Sequence, residues 1–327
     1  MSREREERLS RNFAVLKPLA ILCVVVAHFL SAALPILWVP AAFGLHIFAY
    51  SSAYFTARKY RDRFGLRAYW RQKLYRLGID LMVINVFLGT LFIIEGKRGI
   101  VSWHTAVNLV GLNGFLNWFR IPNASPFGAG MWFFTLLLLF YGIYPVLNAL
   151  LKSTTALGLF FAGAVGALYW LNLNVAYGHT LWLTAGGFVF GFVVAKTGFS
   201  LPRNVCIGAM LALGAGLGFL YVSKSTAVPT VILLFPLFCF SVLLIEHLHF
   251  ESAPVARLSR YVFPVYLIHM YLFVKITGND YLNAAISLLI VAPAAVLLAK
   301  VSEKTREVLL TAPEQHSGAV PTLGREK

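Results

Sequence analysis

The sequence predicts an all-α, polytopic integral membrane protein of about ten transmembrane helices with both termini cytoplasmic. Three observations lead there. Of 327 residues, 59% are hydrophobic and only 13% charged, too few polar side chains to cover a soluble globule of that size. Mean hydropathy is +0.74, and the apolar residues collect in runs near the length a helix needs to cross a bilayer. The basic residues fall in short segments between those runs, so the net charge of +15 reads as topology control and no nucleic-acid partner is expected. Cys23, Cys206 and Cys239 lie inside apolar stretches without a CxxC pair or a neighbouring His, which gives neither a disulfide framework nor a metal site.

The chain divides into a cytoplasmic tail (1–12), a membrane domain (13–301) and a cytoplasmic C-terminal tail (302–327). Met1 to Arg11 is charged and mixed in sign and reads as a solvated tail. The first apolar run, Phe13 to Trp38, is longer than a secretory h-region and reads as an uncleaved anchor. Pro18 suits a first helical turn, and Pro35 ends or kinks the helix. The remaining spans are expected at 41–57, 77–94, 131–151, 155–171, 180–195, 204–222, 228–246, 261–276 and 281–300. With a cytoplasmic N-terminus, only Lys97, Arg98, Arg120, Lys224 and Lys275 of the 28 basic residues fall outside, which supports the count and the orientation together. Gly187 to Gly191 and Gly214 to Gly218 carry small residues four apart, as closely packed helices do.

Two connections stand out. Arg58 to Arg76 holds eight basic residues interleaved with Tyr60, Phe64, Tyr69, Trp70 and Tyr75. Such a loop can lie on anionic lipid head groups, recognise a phosphorylated cytosolic ligand, or do both. Glu95 to Gly130 is the longest external segment, and Ser102 to Phe119 within it reads as an interfacial or re-entrant helix.

Lys17 and His28 share the first span. Eleven residues at the helical rise separate them by about 16 Å, so a Lys17 at one interface leaves His28 near the middle of the hydrocarbon. An imidazole at that depth is either a functional group or a neutral side chain hydrogen-bonded to a neighbouring backbone. His46 in the second span and His269 in the ninth would join His28 in an imidazole cluster if those spans adjoin. Glu246, His247 and His249 at the inner end of the eighth span read as cap or interface residues.

The Lys17-x10-His28 pattern, the basic stretch ending RQKLYRLG, the run WFFTLLLLFYGIYPVL and the late VYLIHMYLF, taken in that order, resemble the membrane acyltransferase 3 family over most of the chain. The resemblance implies a ten-helix enzyme that moves an acyl group, usually acetyl, from acyl-CoA to a carbohydrate, a lipid-linked glycan or another envelope acceptor. It places Lys17 and His28 at the family's basic and histidine positions, and Arg71, Lys73 and Arg76 in its basic motif, where they would bind the donor. His269 and His46 are then supporting groups or alternative bases. Ala14 stands where many relatives carry an acid, and Ser52-Ala53 where Ser-Gly is common.

This implies acetyl-CoA or another acyl-CoA as a substrate, with no tightly bound cofactor and no metal. The expected setting is a bacterial cytoplasmic membrane, among lipids and polysaccharide-assembly proteins. No esterase-like domain follows the last span, so any further acyl-handling step would fall to a separate protein. Acyl transfer needs a base for the acceptor proton, and a desolvated His28 imidazole is neutral and basic near pH 7. The rival from another class is a transporter or flippase of an envelope sugar. Such proteins often carry a mid-membrane carboxylate relay, whereas Asp80, Glu95 and Glu246 lie towards the ends of their spans.

Overall fold

The computed structural model describes residues 3–61, 64–175, 178–223 and 227–311, and among them there is no strand. Its helices in chain order are α1 (Arg3–Leu30), α2 (Trp38–Lys59), α3 (Leu66–Ile94), α4 (Trp103–Leu109), α5 (Asn113–Trp118), α6 (Trp132–Leu150) and α7 (Thr154–Asn174). They continue as α8 (His179–Thr197), α9 (Arg203–Val222), α10 (Ala227–Ile245), α11 (Ala253–Arg257), α12 (Val262–Ile268) and α13 (Asp280–Thr311). Eight helices among the described residues are long and apolar enough to cross a membrane: α1 to α3, α6 to α9 and α13.

The other two expected spans differ from the rest. α10 supplies a shorter apolar stretch, Thr230–Ile245. The ninth is broken: α12 stops at Ile268, and the chain from His269 to Asn279 is irregular until α13 begins. Irregular backbone within a membrane protein needs internal partners, and α13 supplies them. Ser287 Oγ accepts from the Val274 N–H (3.0 Å), while Asn283 Oδ1 accepts from Ile276 (3.1 Å) and Thr277 (3.0 Å). Asn283 Nδ2 returns a bond to the Thr277 carbonyl at 2.9 Å.

The N-terminal stretch expected as a solvated tail is instead the first turns of α1, with Leu9 and Asn12 buried. Asn12 explains why. Its amide donates to the Ile245 (2.7 Å) and Leu248 (2.8 Å) carbonyls and accepts from the Phe250 N–H (3.0 Å), closing the end of α10 where carbonyls lack helical partners. Arg5 pairs with Glu246, and Glu6 with Arg58 at 3.0 Å, so the charges at both helix ends are matched across elements.

α2 is the central helix, packed most closely on α8 and next on α1. The approach to α8 runs through the GFVFG stretch: a Cβ on Gly191 would lie 2.4 Å from the Tyr50 carbonyl oxygen. The second small-residue stretch behaves otherwise. Gly214 and Gly218 face open space, because α9 touches the rest of the molecule chiefly along α10.

Pro18, Pro145, Pro236 and Pro293 sit inside helices and remove a donor each, and at two of them a tyrosine takes the open carbonyl. In α6, Pro145 cannot bond the Tyr141 carbonyl, and the Tyr69 hydroxyl of α3 donates to it instead at 2.9 Å. In α10, Pro236 leaves the Ile232 carbonyl open, and the Tyr169 hydroxyl of α7 donates there at 3.1 Å.

Candidate active site

α1 carries the site along its length. Near its end the His28 ring is exposed and faces the His269 ring, centroid to centroid 5.2 Å. His269 is fully buried, and its Nδ1 lies 2.8 Å from the Tyr266 carbonyl one turn back. A carbonyl only accepts, so that nitrogen carries the proton and Nε2 keeps a lone pair. Nε2 is buried with no hydrogen-bond partner. The break in the ninth span therefore begins at an imidazole fixed in one tautomer, with its second nitrogen open.

The segment before α6 roofs this pair. The Tyr266 hydroxyl donates to the Gly130 carbonyl (2.6 Å) and accepts from the Phe134 N–H (3.2 Å), while the Tyr271 hydroxyl accepts from Gly128 N–H (2.6 Å). Gly130 holds φ +72, and a Cβ there would lie 2.8 Å from Met270 Cγ and 3.9 Å from His269 Cε1, so glycine is required on both counts.

Half-way back along α1, Lys17 is half-buried, with Nζ 5.7 Å from the centre of the Phe55 ring. Phe55 adjoins Thr56 on α2, where α3 also makes contact. Lys73 turns inward beside them: its Nζ donates to Thr56 Oγ1 at 2.8 Å and sits 3.7 Å over the Tyr141 ring. Among the described residues no carboxylate pairs with Lys17 or Lys73, which leaves a positive interior between α1, α2, α3 and α6.

On the outer side of α3 is an open groove of about 1230 Å³, lined by Arg67, Arg71, Gln72, Tyr75 and Arg76 and, from α13, Arg306. The basic stretch expected as a loop is helical from Leu66, which puts Arg67 and Arg71 on one face four residues apart. Arg76 lines the groove, and Lys73 of the same helix leads towards Lys17, since its partner Thr56 adjoins the Phe55 ring on which Lys17 lies.

The structure thus brings His28 to His269 and Arg71 to Arg76, but it separates other expected partners. His46 does not join the imidazole pair. It is buried against α8 and α10, its Nδ1 2.9 Å from the Leu183 carbonyl and its ring edge-on to Phe238 at 5.5 Å. Lys73 lies off the groove, its Nζ turned instead to Thr56 and the Tyr141 ring. Arg67 and Arg306 are groove residues that the sequence reading did not single out. Arg67 was legible from its helical spacing to Arg71, whereas no sequence signal points to Arg306.

Residues 11–301 match the family model described as an acyltransferase domain, that of the acyltransferase 3 family. The chain belongs to this family. No curated protein and no solved structure matches it. The match covers nearly the whole helical assembly, including both imidazoles and the first part of the groove, and makes the chain a multi-pass membrane acyltransferase.

Proposed function

We propose that this acyltransferase moves an acyl group, acetyl in the simplest case, from acyl-CoA to a hydroxyl of a carbohydrate or lipid-linked glycan acceptor, with His28 as the base. The observation that carries the reading is the layout along α1. A groove lined by Arg67, Arg71, Arg76 and Arg306 opens at one end, Lys73 of the same helix reaches Thr56 beside the Phe55 ring on which Lys17 lies, and Lys17 stands about 16 Å along α1 from the exposed His28 imidazole. A donor with its phosphates in the groove has a cationic route for its arm towards the imidazole pair.

In this reading the acceptor hydroxyl attacks the thioester carbonyl carbon while His28 takes its proton. Collapse of the tetrahedral oxyanion breaks the C–S bond, and the imidazolium returns the proton to the departing thiolate. His269, held by Tyr266, sets its ring against that of His28 and keeps an unprotonated nitrogen in the buried wall behind it. Lys17 is too far along the helix to touch the reacting carbonyl, so its charge serves the donor. The test is release of free CoA from acetyl-CoA by purified protein in neutral detergent, with and without glycan acceptors. Neither binding nor turnover of acetyl-CoA would remove the reading in favour of a transporter.

A further inference from the structure

The groove on α3 is completed from the far end of the chain. Arg306 stands on α13 beyond residue 301, where the family match stops. Its guanidinium Nη2 donates to Oδ1 of Asp80, a carboxylate only 8% exposed, one helical turn beyond Arg76 on α3. A third of the Arg306 side chain (33%) remains open, and it lines the groove with Arg67, Arg71 and Arg76. The ion pair engages Nη2 alone, so Nη1 keeps its donors. A buried ion pair is a poor source of net stability but a good fastener. It fixes the direction of a long side chain that would otherwise lose rotamer freedom on binding a ligand.

The spacing of the cations says what such a ligand carries. From Arg67 to Arg76, α3 rises about 14 Å, more than a single phosphate or a diphosphate covers. A nucleotide with a diphosphate at one end and a phosphomonoester on its ribose has two anionic positions to match. Beside the Arg76 end, Lys73 reaches Thr56, whose neighbour Phe55 carries Lys17 on its ring, so the thioester arm, and the diphosphate to which it is joined, belong at that end. We propose that Arg306 binds the diphosphate of a nucleotide-linked acyl thioester, that Arg67 and Arg71 hold its ribose phosphomonoester, and that Asp80 is a positioning residue for Arg306. This rests on the donor reading above.

The experiment compares acetyl-CoA with acetyl-3′-dephospho-CoA in neutral detergent free of anionic lipid. The variants are Arg306→Lys, Arg306→Gln, Arg67→Ala and the pair Arg306→Gln with Asp80→Asn, which leaves no carboxylate buried alone. Loss of Arg306 should raise KM about ten- to a hundredfold for both donors alike, with kcat little changed, in the single and the paired variant. Arg306→Lys should recover part of the loss, because the charge survives without the fork. Arg67→Ala should raise KM for acetyl-CoA alone. An unchanged KM in the folded paired variant overturns the inference while leaving acyl-CoA use intact. So does an Arg306 effect confined to the 3′-phosphorylated donor, or one that appears only when anionic vesicles are added, which marks Arg306 as a lipid contact. A wild-type protein that neither binds nor uses acetyl-CoA removes the donor reading and this inference together.

Discussion

Replacing His28 by Gln separates chemistry from folding, because the structure assigns the two imidazoles different stability costs. His28 is exposed, and its ring contact is the 5.2 Å approach to His269. A substitution there should change stability by no more than about 0.5 kcal/mol, the range of exposed positions. Loss of a general base costs about a hundredfold to ten-thousandfold in rate, or about 2.7 to 5.5 kcal/mol of barrier. His269 is the opposite case. Truncating it to Ala gives up the bond to the Tyr266 carbonyl, worth about 1 kcal/mol, and opens a cavity beneath Gly130 that adds about 2 kcal/mol or more. Thermal unfolding in detergent and initial rates of CoA release, measured on the same preparations, should place His28→Gln near wild type in the first and far below it in the second. His269→Ala should be shifted mainly in the first. A well-folded His28→Gln enzyme that transfers at near wild-type rate refutes the assignment of the base.

Lys17→Arg keeps the charge and should stay largely active, whereas Lys17→Ala should raise KM for acyl-CoA; equal kinetics in both would remove Lys17 from the donor route. Arg71→Ala and Arg76→Ala should each raise KM at low ionic strength, and the gap to wild type should narrow as salt screens the groove, read from KM across a salt series. Gly191→Ala drives a methyl to 2.4 Å from the Tyr50 carbonyl and should destabilise the α2 and α8 pair by about 1 to 3 kcal/mol, seen as a lower melting temperature with no specific change in KM. Reporter fusions after Arg67 and after Ser102 should report opposite sides of the membrane, with Arg67 in the cytoplasm; an external Arg67 would cut the groove off from cytosolic acyl-CoA.

Much of this molecule was legible because each apolar run carries its own boundaries in charge, and because a histidine inside such a run is conspicuous by cost. His28 and His269 were found that way. Their pairing was not, since it depends on α12 lying beside α1, a tertiary fact. The break at His269 was also hidden. VYLIHMYLF reads as continuous helix, and the partners that make the irregular stretch tolerable, Asn283 and Ser287, lie on the next helix. Reading Arg58 to Arg76 as a loop removed the helical phase that sets Arg67 beside Arg71 and turns Lys73 away from both. His46 was misplaced for a similar reason, because depth in the membrane says nothing about which neighbour a ring faces. Arg306 and Asp80 are 226 residues apart, and no local pattern joins them.

The tyrosines that stand in for the missing proline bonds bear on how the protein is assembled. A helix containing Pro145 enters the bilayer with the Tyr141 carbonyl unpaired, a state costing several kcal/mol in hydrocarbon until Tyr69 arrives from α3. The same holds for α10, whose Ile232 carbonyl waits for Tyr169 of α7. In both pairs the hydroxyl lies on a helix synthesised earlier, so each proline helix meets its donor already in the membrane as it leaves the translocation machinery. Correct neighbours are thereby rewarded at the moment of insertion, and a misplaced α6 or α10 keeps an open carbonyl that marks it as unfinished.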